Sequence, residues 1–174
     1  MKRRIKHVTV LGSGIMGSGI AAHFANIGVE VLLLDIVPFE LTEAEQKKGL
    51  SKEDKVVRNR IATESLGKLV KSSPALLYKK EFADRISVGN FDDDLQKIKN
   101  TDWIIEVVVE RLDIKKSVYE KIEQFRKPGT LVSSNTSGIP INMLVEGRSD
   151  DFKHYFAGTH FFNPVRYLPL LEVI

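Results

Sequence analysis

The chain has 174 residues, of which 43% are hydrophobic and 28% charged, enough for one well-buried domain of ordinary globular composition. Its formal net charge of +3 is too small to favour nucleic acid as the main partner, and no apolar run approaches membrane-spanning length. The absence of cysteine excludes disulfides and thiol catalysis, so we expect a cytoplasmic protein.

The first predicted element is a strand that runs into a glycine-rich turn. Residues 8–11 form a short apolar run typical of a buried parallel strand. A G-x-G-x-x-G pattern follows, and then an alanine-rich helix that stops near Gly28. In such a turn the glycines allow a tight bend, a close approach of the backbone to a pyrophosphate, and close packing of helix on strand. We therefore expect a dinucleotide to contact the residues of this pattern, namely Gly12, Gly14, Ile15, Met16 and Gly17.

A second buried strand, residues 31–34, ends at Asp35, where a dinucleotide fold places an acid for the adenosine ribose. A carboxylate there accepts hydrogen bonds from two ribose hydroxyls and repels a 2′-phosphate. The next three residues, Ile36, Val37 and Pro38, include no arginine to receive that phosphate, so NAD is favoured over NADP. The motif leaves two alternatives open: a flavin ligand, or a purely structural acid at the end of the strand.

The segment from about residue 40 to residue 80 has helical spacing and many charges. Thr42 with Glu45 predicts a capping box, and Ser51 with Asp54 predicts a second helix start. We predict a helical hairpin inserted after the second strand. Ten Lys and Arg against six Asp and Glu give the segment a charge of +4, while the rest of the chain sums to −1. Composition alone favours a solvated helix pair over a surface for an anionic ligand.

The remainder of the chain alternates strands with helices. This order predicts a doubly wound, Rossmann-type α/β fold with a mostly parallel sheet. We expect strands at residues 86–88, 102–110, 131–134, 156–160 and 170–174, and helices at residues 92–99, 114–125 and 141–145.

Polar residues collect where these strands end, and an open parallel sheet binds ligands beyond the carboxyl ends of its strands. His160 ends the sixth strand, and Glu172 reaches its imidazole if the last strand folds back beside it. Such a pair beside a nicotinamide suits alcohol oxidation, because the base takes the hydroxyl proton while hydride leaves to the cofactor. Spacing equally allows a hydrogen-bonded strand-end histidine and a sheet-edge carboxylate. No histidine pair has zinc-ligand spacing, so we expect no metal.

Four blocks of the sequence occur in the same order in a known family. They are LGSGIMGSGIA from residue 11, WIIEVVVE from residue 103, SSNTSG from residue 133 and GTHFFNPV from residue 158. From residue 5 to its end the chain resembles the NAD-binding domain of 3-hydroxyacyl-CoA dehydrogenases. It is most similar to long bacterial members, in which an enoyl-CoA hydratase-like segment follows.

The resemblance implies an activity and its catalytic residues. The activity is the NAD-dependent oxidation of L-3-hydroxyacyl-CoA to 3-oxoacyl-CoA in fatty-acid β-oxidation. His160 would be the base, paired with Glu172, and Ser137 would hydrogen-bond the substrate's 3-oxygen. Asn135 would line the same pocket.

The resemblance also implies binding residues for the cofactor and for the acyl-CoA. Glu110 and Lys115 would approach the nicotinamide side of the cofactor. In the helical insertion, Ser65 and a lysine, Lys68 or Lys71, would meet the CoA part. This raises the anionic-ligand interpretation of the basic segment above the solvated one.

The family carries a second, mostly helical domain that closes over the substrate and makes the dimer. The resemblance therefore predicts that residues 1–174 are the NAD-binding domain of a longer homo-oligomeric protein. Without the helical half we expect NAD binding with little turnover, because the site stays open to water. Two competing functions remain open: a non-catalytic NAD-binding module, and a dehydrogenase of a small hydroxy acid without CoA.

Overall fold

A seven-stranded sheet forms the centre of the computed structural model, which describes residues 3–174. The spatial order of the strands is β3-β2-β1-β4-β5-β6-β7, and every neighbouring pair is parallel except β6 with β7. The order reverses between β1 and β4, and an open α/β sheet binds ligands at such a reversal. The strands are β1 His7–Leu11, β2 Glu30–Asp35, β3 Ile86–Asn90, β4 Trp103–Glu106, β5 Leu131–Ser134, β6 Phe156–Phe161 and β7 Leu171–Val173.

Helices cover both faces of this sheet. They are α1 Ile15–Asn26, α2 Glu43–Lys47, α3 Lys55–Arg58, α4 Arg60–Val70, α5 Leu112–Phe125, α6 Ile141–Leu144 and α7 Asp150–His154, with 3₁₀ segments at Lys80–Arg85 and Leu95–Asn100. Successive strand residues point to opposite faces, so Val10 joins a core layer with α1 while Leu11 joins a second layer with α5. The predicted doubly wound fold is confirmed. No helix formed by residues 3–174 is long and apolar enough to cross a membrane.

Most predicted elements are found within one or two residues of their expected bounds, and two differ more strongly in length or type. The strand expected over residues 102–110 ends at Glu106, which pairs with Leu11 on one side and Ser134 on the other. The β-branched residues that follow leave the sheet because both neighbouring strands end there. The helix expected over residues 92–99 is a turn followed by the 3₁₀ segment Leu95–Asn100. Helix α7 was not predicted, although Ser149 at its N-cap was the available signal.

The insertion after β2 contains three helices, α2, α3 and α4, whereas a hairpin of two helices was predicted. The capping box is confirmed, since the Thr42 hydroxyl accepts from the Glu45 N–H and the Glu45 carboxylate accepts from the Thr42 N–H. Arg60, at the start of α4, forms an ion pair with Glu45 and donates to the Glu40 carbonyl. The buried side chain of Leu69 then packs α4 into the same core layer as α1. One face of α4 is thereby held beside the glycine turn.

We predict that Gly17→Ala destabilises the fold. A Cβ at residue 17 would lie 1.8 Å from the carbonyl oxygen of Gly12, and only a backbone shift relieves that overlap. Overpacking of this severity should cost about 3 kcal/mol or more. For a domain of this size that lowers the melting temperature by roughly 6 °C or more, measured by circular dichroism.

Gly67→Ala is the matched control, because a Cβ at residue 67 of α4 would meet nothing within 4 Å. Replacing a glycine inside a helix by alanine should raise the unfolding free energy by about 0.5–1 kcal/mol. Equal melting temperatures for Gly17→Ala and the unsubstituted chain would contradict the packing argument.

Candidate active site

The turn between β1 and α1 has the geometry that the glycine pattern predicts. Gly12 has a φ of +107°, and a Cβ there would lie 2.6 Å from the Val107 carbonyl oxygen. Gly14 is the N-cap of α1, and a Cβ there would meet no protein atom within 4 Å. The free N–H groups at the start of this 12-residue helix therefore face open space and suit a phosphate.

A cleft of about 760 Å³ opens beside this turn, within the size range of small-molecule sites. We call it the dinucleotide cleft. Gly12, Gly14 and Asp35 line it, whereas Gly17 is buried beneath the turn and Met16 packs against the core. The remaining lining is mainly apolar and comes from Ile36, Phe39, Phe91, Val107, Val108, Val109, Asp113, Ile114, Ser117, Val118 and Lys121. These residues fit a bound NAD, with phosphates at the helix start and a ribose at the acid.

Asp35 stands at the end of β2 with its carboxylate turned to the glycine turn. Its Oδ2 accepts from the Ser13 N–H at 2.6 Å and from the Ser13 hydroxyl at 2.5 Å. Its Oδ1 accepts from the Ile36 N–H at 2.7 Å, which leaves one acceptor position on that oxygen for a ribose hydroxyl. Sequence reasoning missed Ser13, for which a hydroxyl inside the glycine pattern was the only signal.

A second cleft, of about 310 Å³, adjoins the turn, and we call it the insertion cleft. Ser65 and Lys68, both predicted to meet the substrate, line it together, while the alternative Lys71 lines a separate cavity of about 170 Å³. Ile15, predicted to contact the cofactor, lines this cleft and not the dinucleotide cleft. The other lining residues are Ser13, Gly14, Ser18, Leu69, Ser72 and Leu76.

The antiparallel pairing of β6 with β7 sets Glu172 directly opposite His160. Residues opposite each other in such a pair share one face of the sheet, and here Glu172 Oε2 lies 2.8 Å from His160 Nδ1. The predicted contact is therefore confirmed. The carboxylate favours the tautomer with the proton on Nδ1, which leaves Nε2 as the acceptor. The imidazole side chain is 22% exposed, so a substrate has access to it.

The loop after β5 wraps around the carboxylate of Glu110. One oxygen of that carboxylate accepts from the Thr136 hydroxyl at 2.5 Å and from the N–H groups of Ser137 and Gly138 at 3.1 Å each. Burial opposes ionisation of Glu110, but these donors and the Lys115 ammonium outweigh it and lower its pKa from 4.5 to about 2. Glu110 thus holds the loop that presents Ser137.

Asn135 connects the same loop to the strand that carries the histidine. Its side-chain oxygen accepts from the Phe161 N–H at 2.9 Å, one residue after His160. The amide therefore sets the distance between the loop of Ser137 and the imidazole, in addition to any contact with substrate.

Lys115 lies in the interior, although we predicted a contact with the cofactor. It is 1% exposed, and its ammonium lies 2.8 Å from Glu106 Oε1 and 3.2 Å from Glu110 Oε2. Glu106 also accepts from the hydroxyls of Tyr119, at 2.5 Å, and Ser134, at 2.7 Å. Burial and the Glu106 carboxylate raise the pKa of Tyr119, which keeps its hydroxyl a donor. The structure therefore gives Lys115 the role of holding Glu110 in place.

Sequence reasoning missed Glu106, whose signal was an acid inside an apolar strand. In the part of the chain that the structure describes, residues 3–174, no group of three or more His, Asp and Glu side chains is placed to hold a metal ion.

The match to known proteins agrees with this geometry. Residues 7–174 match the family described as 3-hydroxyacyl-CoA dehydrogenase, NAD binding domain. The chain belongs to this family. The resemblance seen in the sequence is confirmed, and so is NAD as the cofactor that the family binds.

Individual relatives cover the whole chain. It is 56% identical over 174 residues to a probable 3-hydroxyacyl-CoA dehydrogenase of Bacillus subtilis, covering 100% of this chain and 22% of that protein. It is 40% identical, with the same coverage, to a putative fatty acid oxidation complex trifunctional enzyme of Rickettsia felis. The solved (S)-3-hydroxybutyryl-CoA dehydrogenase of Ralstonia eutropha has a TM-score of 0.69 and 30% identity, covering 98% of this chain and 54% of that one. The chain thus spans 22% of the length of these two curated relatives.

The low pKa of Glu110 predicts a specific dependence of stability on pH. Because the folded pKa of about 2 lies below the ordinary value of 4.5 for a glutamate, ionised Glu110 stabilises the fold fully above about pH 4.5. That contribution is lost as the pH falls towards 2. We expect Glu110→Gln to melt lower than the unsubstituted chain at neutral pH, and this difference should shrink as the pH is lowered.

The measurement is the melting temperature of both chains from neutral pH down to the acid limit of folding. The other carboxylates titrate in both chains and cancel in the difference, so Glu110 alone decides its shape. A difference that stays constant with pH would contradict the assigned role of the charge.

Proposed function

We propose that this chain supplies the NAD site and the acid–base pair that oxidise L-3-hydroxyacyl-CoA to 3-oxoacyl-CoA in fatty-acid β-oxidation. The observation that carries the proposal is the register of β6 and β7, which sets Glu172 opposite His160. His160 lies near the carboxyl end of β6, on the same side of the sheet as the glycine turn that follows β1. The names of the relatives, a 3-hydroxyacyl-CoA dehydrogenase and a fatty acid oxidation complex enzyme, support the substrate class.

The proton transfer is assigned to His160. Its Nε2 takes the proton of the substrate's 3-hydroxyl, and the Glu172 carboxylate, 2.8 Å from Nδ1, stabilises the imidazolium that forms. The Ser137 hydroxyl donates to the 3-oxygen, from a loop that Glu110 and Asn135 hold in place. Bound NAD supplies the hydride acceptor.

Binding is divided between the two clefts. Asp35 accepts a ribose hydroxyl and the start of α1 faces the phosphates of NAD. Ser65 and Lys68 take the CoA part in the insertion cleft, where the +4 charge of residues 40–80 attracts its phosphates. Binding of the CoA group in the insertion cleft therefore helps to position the reacting carbon of the acyl chain.

Features of the longer protein stay predictions. They are a homo-oligomer built through a helical domain, an enoyl-CoA hydratase-like segment after it, and a cytoplasmic location, which the lack of cysteine favours. For the present chain we propose NAD binding with slow turnover.

The test is NADH oxidation by this chain with acetoacetyl-CoA, at high protein concentration, beside free acetoacetate. We expect slow turnover that needs the CoA group. His160→Ala should reduce it by about 10²- to 10⁴-fold, the usual contribution of a general base. Glu172→Gln should also reduce it, because an amide neither stabilises the imidazolium nor fixes the proton on Nδ1.

His154→Ala is the control, since His154 is an exposed histidine on α7, outside the site. Equal rates with free acetoacetate would favour a dehydrogenase of a small hydroxy acid. NADH binding without any turnover would agree with the expectation of little turnover from this chain alone, and the substrate class would then be tested on the longer protein. An unchanged rate in His160→Ala would remove His160 from the chemistry.

A further inference from the structure

Ser13 lies between the two clefts. Its neighbour Gly14 lines both of them, while Ser13 itself is 2% exposed and lines the wall of the insertion cleft. A side chain this buried acts on a bound molecule mainly through the groups that it contacts. Those groups are Asp35 on the side of the dinucleotide cleft and Ser65 on the side of the insertion cleft.

The Ser13 hydroxyl has two acceptors within reach and a single hydrogen. Its Oγ lies 2.5 Å from Asp35 Oδ2 and 3.1 Å from Ser65 Oγ. Ser13 is the donor in both contacts, so its one hydrogen serves either the carboxylate or the Ser65 hydroxyl, but not both at once.

A ribose at Asp35 would compete with the Ser13 hydroxyl for the carboxylate. Oδ2 already accepts from both the N–H and the hydroxyl of Ser13, so its two lone pairs are occupied. Oδ1 accepts from the Ile36 N–H and has room for one further donor. Asp35 can therefore accept from two ribose hydroxyls only if the Ser13 hydroxyl no longer donates to Oδ2.

The released hydrogen has Ser65 Oγ as its other acceptor. Once Ser65 accepts from Ser13, its own hydroxyl is polarised and becomes a stronger donor into the insertion cleft. A bound molecule that carries a phosphate or carbonyl oxygen beside Ser65 then gains a stronger hydrogen bond. Occupation of one cleft thus changes the hydrogen-bonding capacity of the other without moving the backbone.

We propose that Ser13 couples the two clefts, so that NAD bound at Asp35 raises the affinity for a CoA ester bound beside Ser65 and Lys68. This inference rests on the proposed function. The coupling is reciprocal, since a ligand that changes the affinity of another is itself changed by the same factor. One redirected neutral hydrogen bond predicts a factor of about three to ten.

The experiment is titration calorimetry of the chain with NAD⁺ and acetoacetyl-CoA. Both compounds are oxidised, so no hydride passes between them and both persist during the measurement. We expect acetoacetyl-CoA to bind about three to ten times more tightly when NAD⁺ is saturating. NAD⁺ should bind more tightly by the same factor when acetoacetyl-CoA is saturating.

Three serine variants assign the effect. Ser13→Ala should bind each ligand alone but bring the factor close to one. Ser65→Ala should weaken acetoacetyl-CoA binding itself, because Ser65 lines the insertion cleft, and should also bring the factor close to one, because the released Ser13 hydrogen then has no hydroxyl to meet. Ser72→Ala should keep the factor, since Ser72 lines the same cleft but its hydroxyl accepts from the Leu76 N–H at 3.1 Å. The readout is the factor by which one saturating ligand changes the affinity for the other. A purely structural effect of a variant would change the affinity measured with and without the second ligand equally, and this factor would stay the same.

The outcomes separate this inference from the proposed function. If both ligands bind but the factor is one in the unsubstituted chain, or survives in Ser13→Ala, the coupling is overturned and the proposed function stands. If either ligand does not bind alone, the proposed function fails and the coupling fails with it. Circular dichroism checks the fold, and Ser65→Ala carries the test if Ser13→Ala does not fold.

Discussion

The close approach of α1 to the end of β1 is the constraint on which both clefts depend. Gly17 packs so tightly over the Gly12 carbonyl that a single methyl group would overlap it, and a methyl group at Gly12 would lie 2.6 Å from the Val107 carbonyl oxygen. This contact fixes where the helix starts and therefore where its free N–H groups point. It also sets the reach of Ser13 to Asp35, because Ser13 lies between the two glycines.

A buried charge cluster supports the other half of the site. Glu106 and Lys115 are almost completely buried, and the attraction between their charges offsets part of the cost of burying each. Their side chains join β4 to α5, and Ser134 adds β5 to the cluster. The Lys115 ammonium then reaches up to Glu110, whose carboxylate gathers the loop of Ser137. A charge in the core therefore determines the position of a hydroxyl at the surface.

The start of α4 is held by two different interactions. On the side of the insertion, the ion pair of Arg60 with Glu45 fastens α4 to α2. On the sheet side, the buried Asn90 at the end of β3 donates to Asn59 at 2.6 Å. Together with the apolar contacts of Leu69, these bonds bring Ser65 within 3.1 Å of Ser13. The basic segment thus forms one wall of the insertion cleft. Its charge alone did not predict this position.

The sequence by itself determined the features that depend on neighbouring residues. The glycine turn, the acid at residue 35, the capping box at Thr42 and most strands follow from local sterics and from alternating burial, and all were predicted. The pairing of His160 with Glu172 was also within reach, because a short turn limits how the last strand returns.

Only the tertiary structure decided the contacts between distant residues. The strand after Trp103 ends at Glu106 because its neighbours end there, although its sequence continues as a strand. Lys115 is buried because two carboxylates meet it from β4 and from the loop that follows. The link from Asp35 through Ser13 to Ser65 joins residues on three separate elements. Such distances are set by the packing of the whole sheet, and no pattern within one element contains them.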